Sequence, residues 1–193
     1  MAGRRRVSFA ERREQRAAVD DPELVLAAAV RFLESRARST SEVRRRLTGA
    51  GYRAELVDGA ITRLGELGML DDEAFARSWI ESRDRARPRG EHALRRELQI
   101  KGVDRAVVDG LLASRAETAA EAGGETSADD DAAARLLARH ARALDRVADP
   151  RARRQRAYAL LARHGFDPET CSSASRAFLA DRSDGDGLGP PRP

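Results

Sequence analysis

The sequence predicts an all-α fold built from three tandem three-helix repeats. Apolar residues recur at helical spacing between helix-start and helix-stop signals along most of the 193 residues. A short motif in the first half of the chain returns 51 positions later together with the glycine that follows it. Aromatic residues make up 4% of the chain and charged residues 35%, which suits small amphipathic units better than one thick core.

The first predicted repeat spans residues 21–69. Its first helix starts at Asp21 and Pro22, a capping side chain followed by a proline in the position favoured at a helix N-terminus. Ser39 and Glu42 have the spacing of a capping box and start the second helix. A glycine ends that helix, and apolar residues at helical spacing then predict a third helix.

The second predicted repeat, residues 70–116, has the same order of parts. Its first helix begins with the carboxylates of Asp71 and Asp72, which the positive end of the helix dipole favours. An Arg-Pro-Arg-Gly break at residues 87–90 separates this helix from the second one. The third helix is predicted from about Asp104 onward.

An internal sequence repeat supports this division. Residues 43–47 (VRRRL) align with residues 94–98 (LRREL) at an offset of 51, and the glycine four positions after each motif shares that offset. Residues 32–36 match residues 79–83 at an offset of 47. The second repeat therefore has four additional residues between its first two helices, and chance does not explain so many ordered matches.

Four further segments complete the predicted organisation. Residues 1–20 are basic and weakly patterned, and predict a flexible basic arm, either simply solvated or able to capture nucleic acid electrostatically. Residues 117–130 carry carboxylates and no cation, and predict an acidic flexible linker. A third, degenerate repeat follows at residues 131–180, and residues 181–193, rich in glycine and proline, predict a disordered tail.

The remaining composition indicates the compartment. A single cysteine, Cys171, allows no internal disulfide and fits a reducing cytoplasm, so a cytoplasmic protein is predicted. The arginines near the N-terminus are not followed by an apolar stretch, so no signal peptide is predicted. No apolar run is long enough to predict a membrane-spanning helix.

Signals for catalysis and metal binding are weak. The three histidines are scattered, and Cys171 has no neighbour at metal-ligand spacing. His164 falls beside Leu161 on the apolar side of its predicted helix, which indicates a core or boundary residue. The pair Asp71–Asp72 is explained by its position at a helix start. We therefore predict a protein that is not an enzyme and has no cofactor and no metal.

The most informative stretch is residues 83–102, which hold seven cations against three carboxylates. All cations of the chain except Lys101 are arginines, whose planar guanidinium group suits phosphate and carboxylate partners. At 100° per residue, Arg95 and Arg96 point to solvent on the second helix, whereas Lys101 lies on its inward side. The ten candidate cations for contact with a partner are Arg44, Arg45, Arg46, Arg83, Arg85, Arg87, Arg89, Arg95, Arg96 and Lys101.

The distribution of charge disfavours a sequence-reading DNA-binding protein. In a helix-turn-helix protein the last helix of the unit enters the major groove. Here the third helices expose carboxylates, such as Asp58 in the first repeat and Asp109 in the second, which would face the phosphates. The cations on the second helices instead favour contact with a phosphate backbone without sequence readout. A solvated charged face is the alternative interpretation.

The segments that carry a family resemblance are residues 67–76 (LGMLDDEAFA), 87–90 (RPRG) and 94–103 (LRRELQIKGV). With these motifs the chain resembles the RecX family of recombination regulators, specifically in the first two repeats and more loosely in the third. Pro88 stands where the family often has Gly or Lys, and Gly102-Val103 replaces its Gly-Ile ending.

The resemblance implies a curved, elongated all-helical protein that binds the RecA recombinase and its nucleoprotein filament. It also implies that the protein modulates, and usually inhibits, RecA ATP hydrolysis and strand exchange in recombination, DNA repair and the SOS response. The expected partners are RecA, the RecA–DNA filament and the DNA phosphate backbone, with no membrane, and the protein is expected to be a monomer. Two alternatives are a stand-alone, largely sequence-independent DNA-binding protein and a helical-repeat scaffold for protein partners.

Overall fold

The structure is a computed structural model that describes the backbone of residues 8–121 and 126–185, and the side chains of these residues up to residue 181. Within these ranges every regular element is an α-helix. The ten helices are α1 (Phe9–Ala17), α2 (Pro22–Leu33), α3 (Thr40–Ala50), α4 (Ala54–Glu66), α5 (Asp72–Ala86), α6 (Glu91–Lys101), α7 (Arg105–Glu121), α8 (Ala128–Asp145), α9 (Pro150–Arg163) and α10 (Pro168–Gly185).

The helices follow the order predicted for three repeats, with α2–α4 in the first, α5–α7 in the second and α8–α10 in the third. The predicted all-α fold with three helices in each repeat is therefore confirmed. None of the helices in the described ranges has the length and apolar character needed to cross a membrane.

By tertiary contacts the chain forms two compact units. The first unit consists of the chain up to residue 76 together with residues 99–104, and the second of residues 77–98 and the chain from residue 105 onward. The unit boundaries thus fall inside α5 and α6, and each of these helices supplies residues to both units.

The core of the first unit is made by small and branched aliphatic side chains. Val25 and Ala29 of α2 are fully buried, as is Val43 of α3, and Leu47 is 2% exposed. Val25 and Ala29, like Val43 and Leu47, are four residues apart, so each pair lies on one face of its helix. Such faces allow three short helices to share an aliphatic core, against which the aromatic side chains of Phe32 and Tyr52 pack.

The third repeat has its own core within the second unit. Ala132, Ala133, Ala157 and Leu161 are buried there, together with Cys171. Burial raises the pKa of the Cys171 thiol, which accordingly stays a protonated apolar group of the core.

The N-terminal region differs from the prediction. Phe9–Ala17 form helix α1, where the sequence predicted a flexible arm. Ser8 accepts a hydrogen bond from the Glu11 backbone N–H, and the Glu11 side chain accepts one from the Ser8 N–H, which completes a capping box. Helix α1 contains few apolar residues, so its sequence has no clear helical periodicity and resembles that of a solvated chain. The rest of the predicted arm, residues 1–7, lies outside the described residues.

Eight of the ten described residues of the predicted acidic linker are helical. Helix α7 continues to Glu121, and α8 begins at Ala128 after a capping box formed by Ser127 and Asp130. The carboxylates at the start of α8 are favoured there by the helix dipole, so they belong to a helix N-terminus. Residues 122–125 lie outside the described residues.

The first residues of the predicted disordered tail are helical. Helix α10 extends to Gly185, five residues beyond the predicted end of the third repeat. The remaining residues of the predicted tail, 186–193, lie outside the described residues.

Candidate functional site

The two compact units divide the ten candidate cations. Arg44, Arg45 and Arg46 of α3 lie in the first unit together with Lys101 at the end of α6. The second unit contains the other six, two on α5, two in the break between α5 and α6, and two on α6; they are Arg83, Arg85, Arg87, Arg89, Arg95 and Arg96.

Two of these arginines surround Glu97 of α6. The Nε of Arg83 donates to Glu97 Oε2 at 2.7 Å, and the indole Nε1 of Trp79 donates to the same oxygen at 2.8 Å. The guanidinium carbon of Arg83 also lies 4.3 Å from the Trp79 ring centroid. Arg89 pairs with the other carboxylate oxygen, Oε1, at 3.4 Å. Arg83 and Arg89 therefore connect α5 and the break to α6, and are not free to bind a partner without losing these contacts.

Arg95 is also engaged within the protein. Its Nε donates to Asp109 Oδ1 at 2.9 Å and its Nη2 to Glu91 Oε1 at 2.7 Å, and these hydrogen bonds raise the pKa of Arg95. The helical wheel predicted that Arg95 points to solvent, but only 28% of the side chain is exposed. Arg95 is less exposed than predicted because it pairs with Asp109 of α7, a carboxylate that the sequence analysis expected to face solvent.

The first repeat contains the equivalent pair. Arg44 of α3 forms an ion pair with Asp58 of α4, with the same 14-residue separation as Arg95 and Asp109. Both residues are displaced by the repeat offset of 51. The carboxylates on the third helices are thus partners of second-helix arginines in both repeats, which explains their presence without any DNA contact.

Lys101 lies on the inward side of its helix, as predicted, and contacts α3. Its Nζ is 2.9 Å from Glu42 Oε1, and Arg36 Nη2 is 2.9 Å from the same oxygen. Burial disfavours ionisation of Glu42, but the hydrogen bonds from Arg36, Lys101 and the Ser39 N–H outweigh it and lower the pKa of Glu42 to about 2. Lys101 is therefore a structural cation in this arrangement.

Five of the candidate cations remain without a carboxylate partner in the described part of the chain. Arg87 and Arg96 are exposed and make no side-chain hydrogen bond to the residues that the structure describes. Arg85 is exposed and donates only to the Glu81 carbonyl, at 3.4 Å. The other two are Arg45, which donates to the carbonyls of Ser41 and Ile100 at 3.4 and 3.3 Å, and Arg46, whose guanidinium carbon lies 5.6 Å from the Phe32 ring centroid.

The break that carries Arg87 is a packed segment. Pro88 is fully buried, and its ring restricts the backbone φ angle. Gly90 is buried as well, and its N–H donates to the His164 carbonyl at 3.1 Å. The guanidinium group of Arg87 is therefore exposed, while the backbone that follows it is fixed by the buried Pro88 and by the hydrogen bond of Gly90.

The described ranges contain no cluster of side chains that could hold a metal ion, since no three His, Cys, Asp or Glu side chains there come together as ligands. His164 lies half-buried at the end of α9 with its Nδ1 2.8 Å from the Leu160 carbonyl oxygen, and burial lowers its pKa. This position agrees with the predicted boundary role of His164.

The sequence did not predict the interactions of Arg115. This side chain of α7 is 12% exposed and pairs with Asp84 at 2.9 Å and with Asp129 at 2.7 Å. Burial opposes the charge, but the two carboxylates raise the pKa of Arg115. Asp129 belongs to the segment predicted to be a linker, and a separation of 31 residues between Arg115 and Asp84 gives no local pattern that could have indicated the contact.

Comparison with protein-family models matches all three repeats. The models for the first, second and third three-helix domains of RecX match residues 26–64, 71–112 and 128–174, respectively. The solved structure of RecX from Lactobacillus salivarius superimposes with a TM-score of 0.65 over 83% of this chain and 98% of that chain, at 16% identity. This structural similarity supports the fold.

Similarity in sequence extends over most of the chain. The regulatory protein RecX of Mycolicibacterium vanbaalenii is 32% identical over 161 residues, which cover 80% of this chain and 82% of that protein. The regulatory protein RecX of Chlorobium phaeobacteroides is 30% identical and covers 72% of this chain and 83% of that protein. With three matched domains and relatives that align over most of their length, this chain belongs to the RecX family of regulatory proteins.

Proposed function

We propose that this protein binds the RecA recombinase and its nucleoprotein filament, and inhibits RecA ATP hydrolysis and strand exchange. Membership of a family of regulatory proteins supports a protein partner. The observation that carries the proposal is the pair of exposed arginines, Arg87 in the packed break and Arg96 on α6, which lack a carboxylate partner in the described chain. Because the target is a complex of protein and DNA, it offers both carboxylates and phosphates to these side chains.

The proposed contact residues are those whose charge is not already neutralised by an internal ion pair. In the second unit they are Arg85, Arg87 and Arg96, and in the first unit Arg45 and Arg46. The other five candidate cations would have to give up an internal ion pair before binding. This loss is small for Arg44, whose pair with Asp58 is exposed. It is larger for the less exposed pairs, and we assign to the stability of the fold the four cations that form them, Arg83, Arg89, Arg95 and Lys101.

Inhibition by such a protein requires no chemistry of its own. A guanidinium group can bind a carboxylate or a phosphate through two parallel hydrogen bonds, which provides orientation as well as attraction. Exposed cations also accelerate the encounter with an anionic filament, and salt weakens this attraction. A bound regulator would then favour one state of the filament over another, and the difference in affinity sets the size of its effect.

The proposal is tested by the RecA ATPase on single-stranded DNA, measured at increasing concentrations of this protein. The double variant Arg87→Glu/Arg96→Glu is compared with Arg135→Glu/Arg142→Glu, a control with the same change of charge at two exposed positions of α8. We expect the first variant to require at least about tenfold more protein for half-inhibition, and the control to stay within about threefold of the wild type, since 1.4 kcal/mol of lost binding is tenfold.

Two outcomes would contradict the proposal. If the unmodified protein leaves the ATPase unchanged at saturating concentration, inhibition is wrong. If Arg87→Glu/Arg96→Glu and the control weaken inhibition equally, these two arginines are not the contact. Circular dichroism of each variant checks that the helices remain folded.

The same preparations separate the alternatives. A stand-alone DNA-binding protein predicts tight binding to random duplexes in the absence of RecA, with a strong dependence on salt. A protein scaffold predicts binding to RecA that is independent of DNA and nearly independent of salt. Binding to RecA, to duplex DNA and to the assembled filament, each at two salt concentrations, therefore distinguishes the three functions.

A further inference from the structure

A basic groove lies between α9 and α10 of the third repeat, outside the ten candidate cations. It encloses about 560 Å³ and is lined by polar and aromatic side chains. Those that matter here are Arg151, Arg154, Gln155 and Tyr158 of α9, and Ser172 and Arg176 of α10.

The spacing of these residues places them on facing sides of two helices. Arg151, Arg154 and Tyr158 are separated by three and then four residues, so they line one face of α9. Arg176 follows Ser172 by four residues and lies on the same face of α10. Three guanidinium groups, a phenol ring and a hydroxyl group therefore converge on one groove.

Comparison with the other repeats shows what is unusual about this groove. Leu161 and the glycine after it align with Leu47 and its glycine at an offset of 114. With this offset Tyr158 stands in the position of Arg44, and Ser172 in the position of Asp58. The ion pair that joins the second and third helices in the first two repeats is thus replaced by two uncharged residues.

The arginines of the groove also have no acidic partner among the described residues. Arg176 donates only to the backbone carbonyl of Ser172, at 3.2 Å. Asp149, the nearest carboxylate in sequence to Arg151, accepts hydrogen bonds from the backbone N–H groups of Arg151 and Ala152 at the start of α9. The exposed carboxylate of Glu169 on α10 makes no ion pair with these arginines.

We propose that this groove binds a single-stranded nucleic acid, with the phosphodiester groups on Arg151, Arg154 and Arg176 and a nucleobase stacked on Tyr158. Arginine is suited to phosphate, and the Ser172 hydroxyl group can donate an additional hydrogen bond. Tyr158 is 36% exposed, enough to offer its ring to a base. The volume falls within the range of about 300 to 1,000 Å³ that is usual for small-ligand sites.

A single strand fits this groove better than a duplex. A base can reach an aromatic ring between two helices only if it is unstacked from its neighbours, and single strands present such bases. The inference deepens the proposed function, because a nucleoprotein filament contains a DNA strand. It concerns a different surface from Arg87 and Arg96, and can be tested without RecA.

The test is the binding of fluorescein-labelled oligothymidylate to the full chain, measured by fluorescence anisotropy at two salt concentrations. We expect Arg154→Glu/Arg176→Glu to weaken binding at least about tenfold and to reduce the salt slope by about 1.4, since each phosphate contact to a single strand contributes about 0.7. The control is again Arg135→Glu/Arg142→Glu, which carries the same charge change outside the groove and is expected to bind within about twofold of wild type.

Stacking is tested separately at Tyr158. Tyr158→Leu is expected to weaken binding about tenfold, whereas Tyr158→Phe keeps the ring and is expected to bind within about twofold of the wild type. Equal loss in both variants would overturn the stacking role. Competition with inorganic pyrophosphate distinguishes the sources of phosphate: displacement of the strand at equal phosphate concentration would identify a site for free anions and overturn the assignment to a strand.

Failure here is distinguishable from failure of the proposed function. If Arg154→Glu/Arg176→Glu binds the oligonucleotide as well as its control does, the groove is not a strand-binding site, whatever the RecA ATPase shows. Each variant is first checked by circular dichroism; the four substituted arginines are exposed, so their replacement is expected to leave the fold intact.

Discussion

In each compact unit, the residue just before the second helix of a repeat donates a hydrogen bond to a carbonyl at the end of another helix. We call the contact of Ser39 with Lys101 the first junction and that of Gly90 with His164 the second junction, and the two are built differently. In the first junction the Ser39 hydroxyl, just before α3, donates to the Lys101 carbonyl at 2.5 Å. In the second junction the Gly90 N–H, just before α6, donates to the His164 carbonyl at 3.1 Å. Ser39 and Gly90 are separated by the repeat offset of 51, and Lys101 and His164 each precede a glycine with a positive φ angle.

The first junction depends on side-chain charge, and the second on close packing of the backbone. Glu42 and Lys101 form an ion pair at 2.9 Å in the first junction. In the second, a Cβ atom on Gly90 would lie 2.3 Å from the Gly165 carbonyl oxygen. The start of the second helix in a repeat can therefore be fixed by an ion pair, whose strength depends on pH, or by close packing of the backbone. Substitutions at the two junctions distinguish these two mechanisms.

The largest effect is expected at the second junction. Gly90→Ser introduces the residue that the first junction has at this position, but the new Cβ atom would overlap the backbone of Gly165. Overpacking costs typically 1–3 kcal/mol, and because a backbone carbonyl cannot rotate away like a side chain, we expect a loss of about 3 kcal/mol or more in the free energy of unfolding. Urea denaturation followed by circular dichroism measures this loss.

Gly110→Ser is the matched control for this substitution. Gly110 lies in α7 of the same unit, and a Cβ atom there would meet nothing within 4 Å. A serine in an open helical position is expected to be neutral or stabilising by a few tenths of a kcal/mol, because glycine is a poorer helix former. A similar loss at residues 90 and 110 would contradict the close-packing explanation.

A smaller and pH-dependent effect is expected at the first junction. The pKa of Glu42 is lowered from its ordinary value of 4.5 to about 2, so its ionised form stabilises the fold above pH 4.5. This contribution is lost as the pH falls from about 4.5 towards 2, when the carboxylate is protonated in the folded protein. We expect Glu42→Gln to lower the free energy of unfolding by about 2 kcal/mol at pH 7, and by progressively less below pH 4.5.

The control for Glu42 is Glu66→Gln. Glu66 pairs with Arg63 at 2.9 Å, but its side chain is 57% exposed, and such surface pairs contribute little. Denaturation in urea at pH 7, 4 and 3 gives the two differences from wild type. A Glu42→Gln difference that stays constant from pH 7 to pH 3 would show that its charge does not stabilise the first junction.

Local sequence patterns were sufficient for the parts of the fold that depend on near neighbours. The capping box of Ser39 and Glu42 is present as predicted, and the glycine at residue 51 ends α3 with a φ angle of 106°. The three-residue spacing and the left-handed backbone are properties of a few adjacent residues, so they can be recognised without a structure.

The candidate site was harder to predict because it depends on partners far apart in the chain. A helical wheel correctly predicts that Arg96 is exposed. It also predicts that Arg95 is exposed, whereas Arg95 is partly buried. Only the tertiary fold brings Asp109 of α7 to Arg95 of α6, and no rule of local spacing indicates that contact. The same limitation applies to Arg115, whose two carboxylates come from helices on either side in sequence.

The smallest effect is expected when the first junction is given the residue of the second. Ser39→Gly removes the side chain that caps α3 and its hydrogen bond to the Lys101 carbonyl. Replacing serine by glycine at an N-cap costs only a few tenths of a kcal/mol, and a neutral hydrogen bond contributes about 1 kcal/mol, so we expect a total loss of about 1 kcal/mol. The reverse exchange, Gly90→Ser, is expected to cost at least about three times as much, although both substitutions exchange the same two residue types. Urea denaturation at pH 7 of both variants measures this asymmetry directly. Equal losses would mean that backbone packing limits both junctions, and the contrast between a charge-dependent and a shape-dependent contact would have to be abandoned.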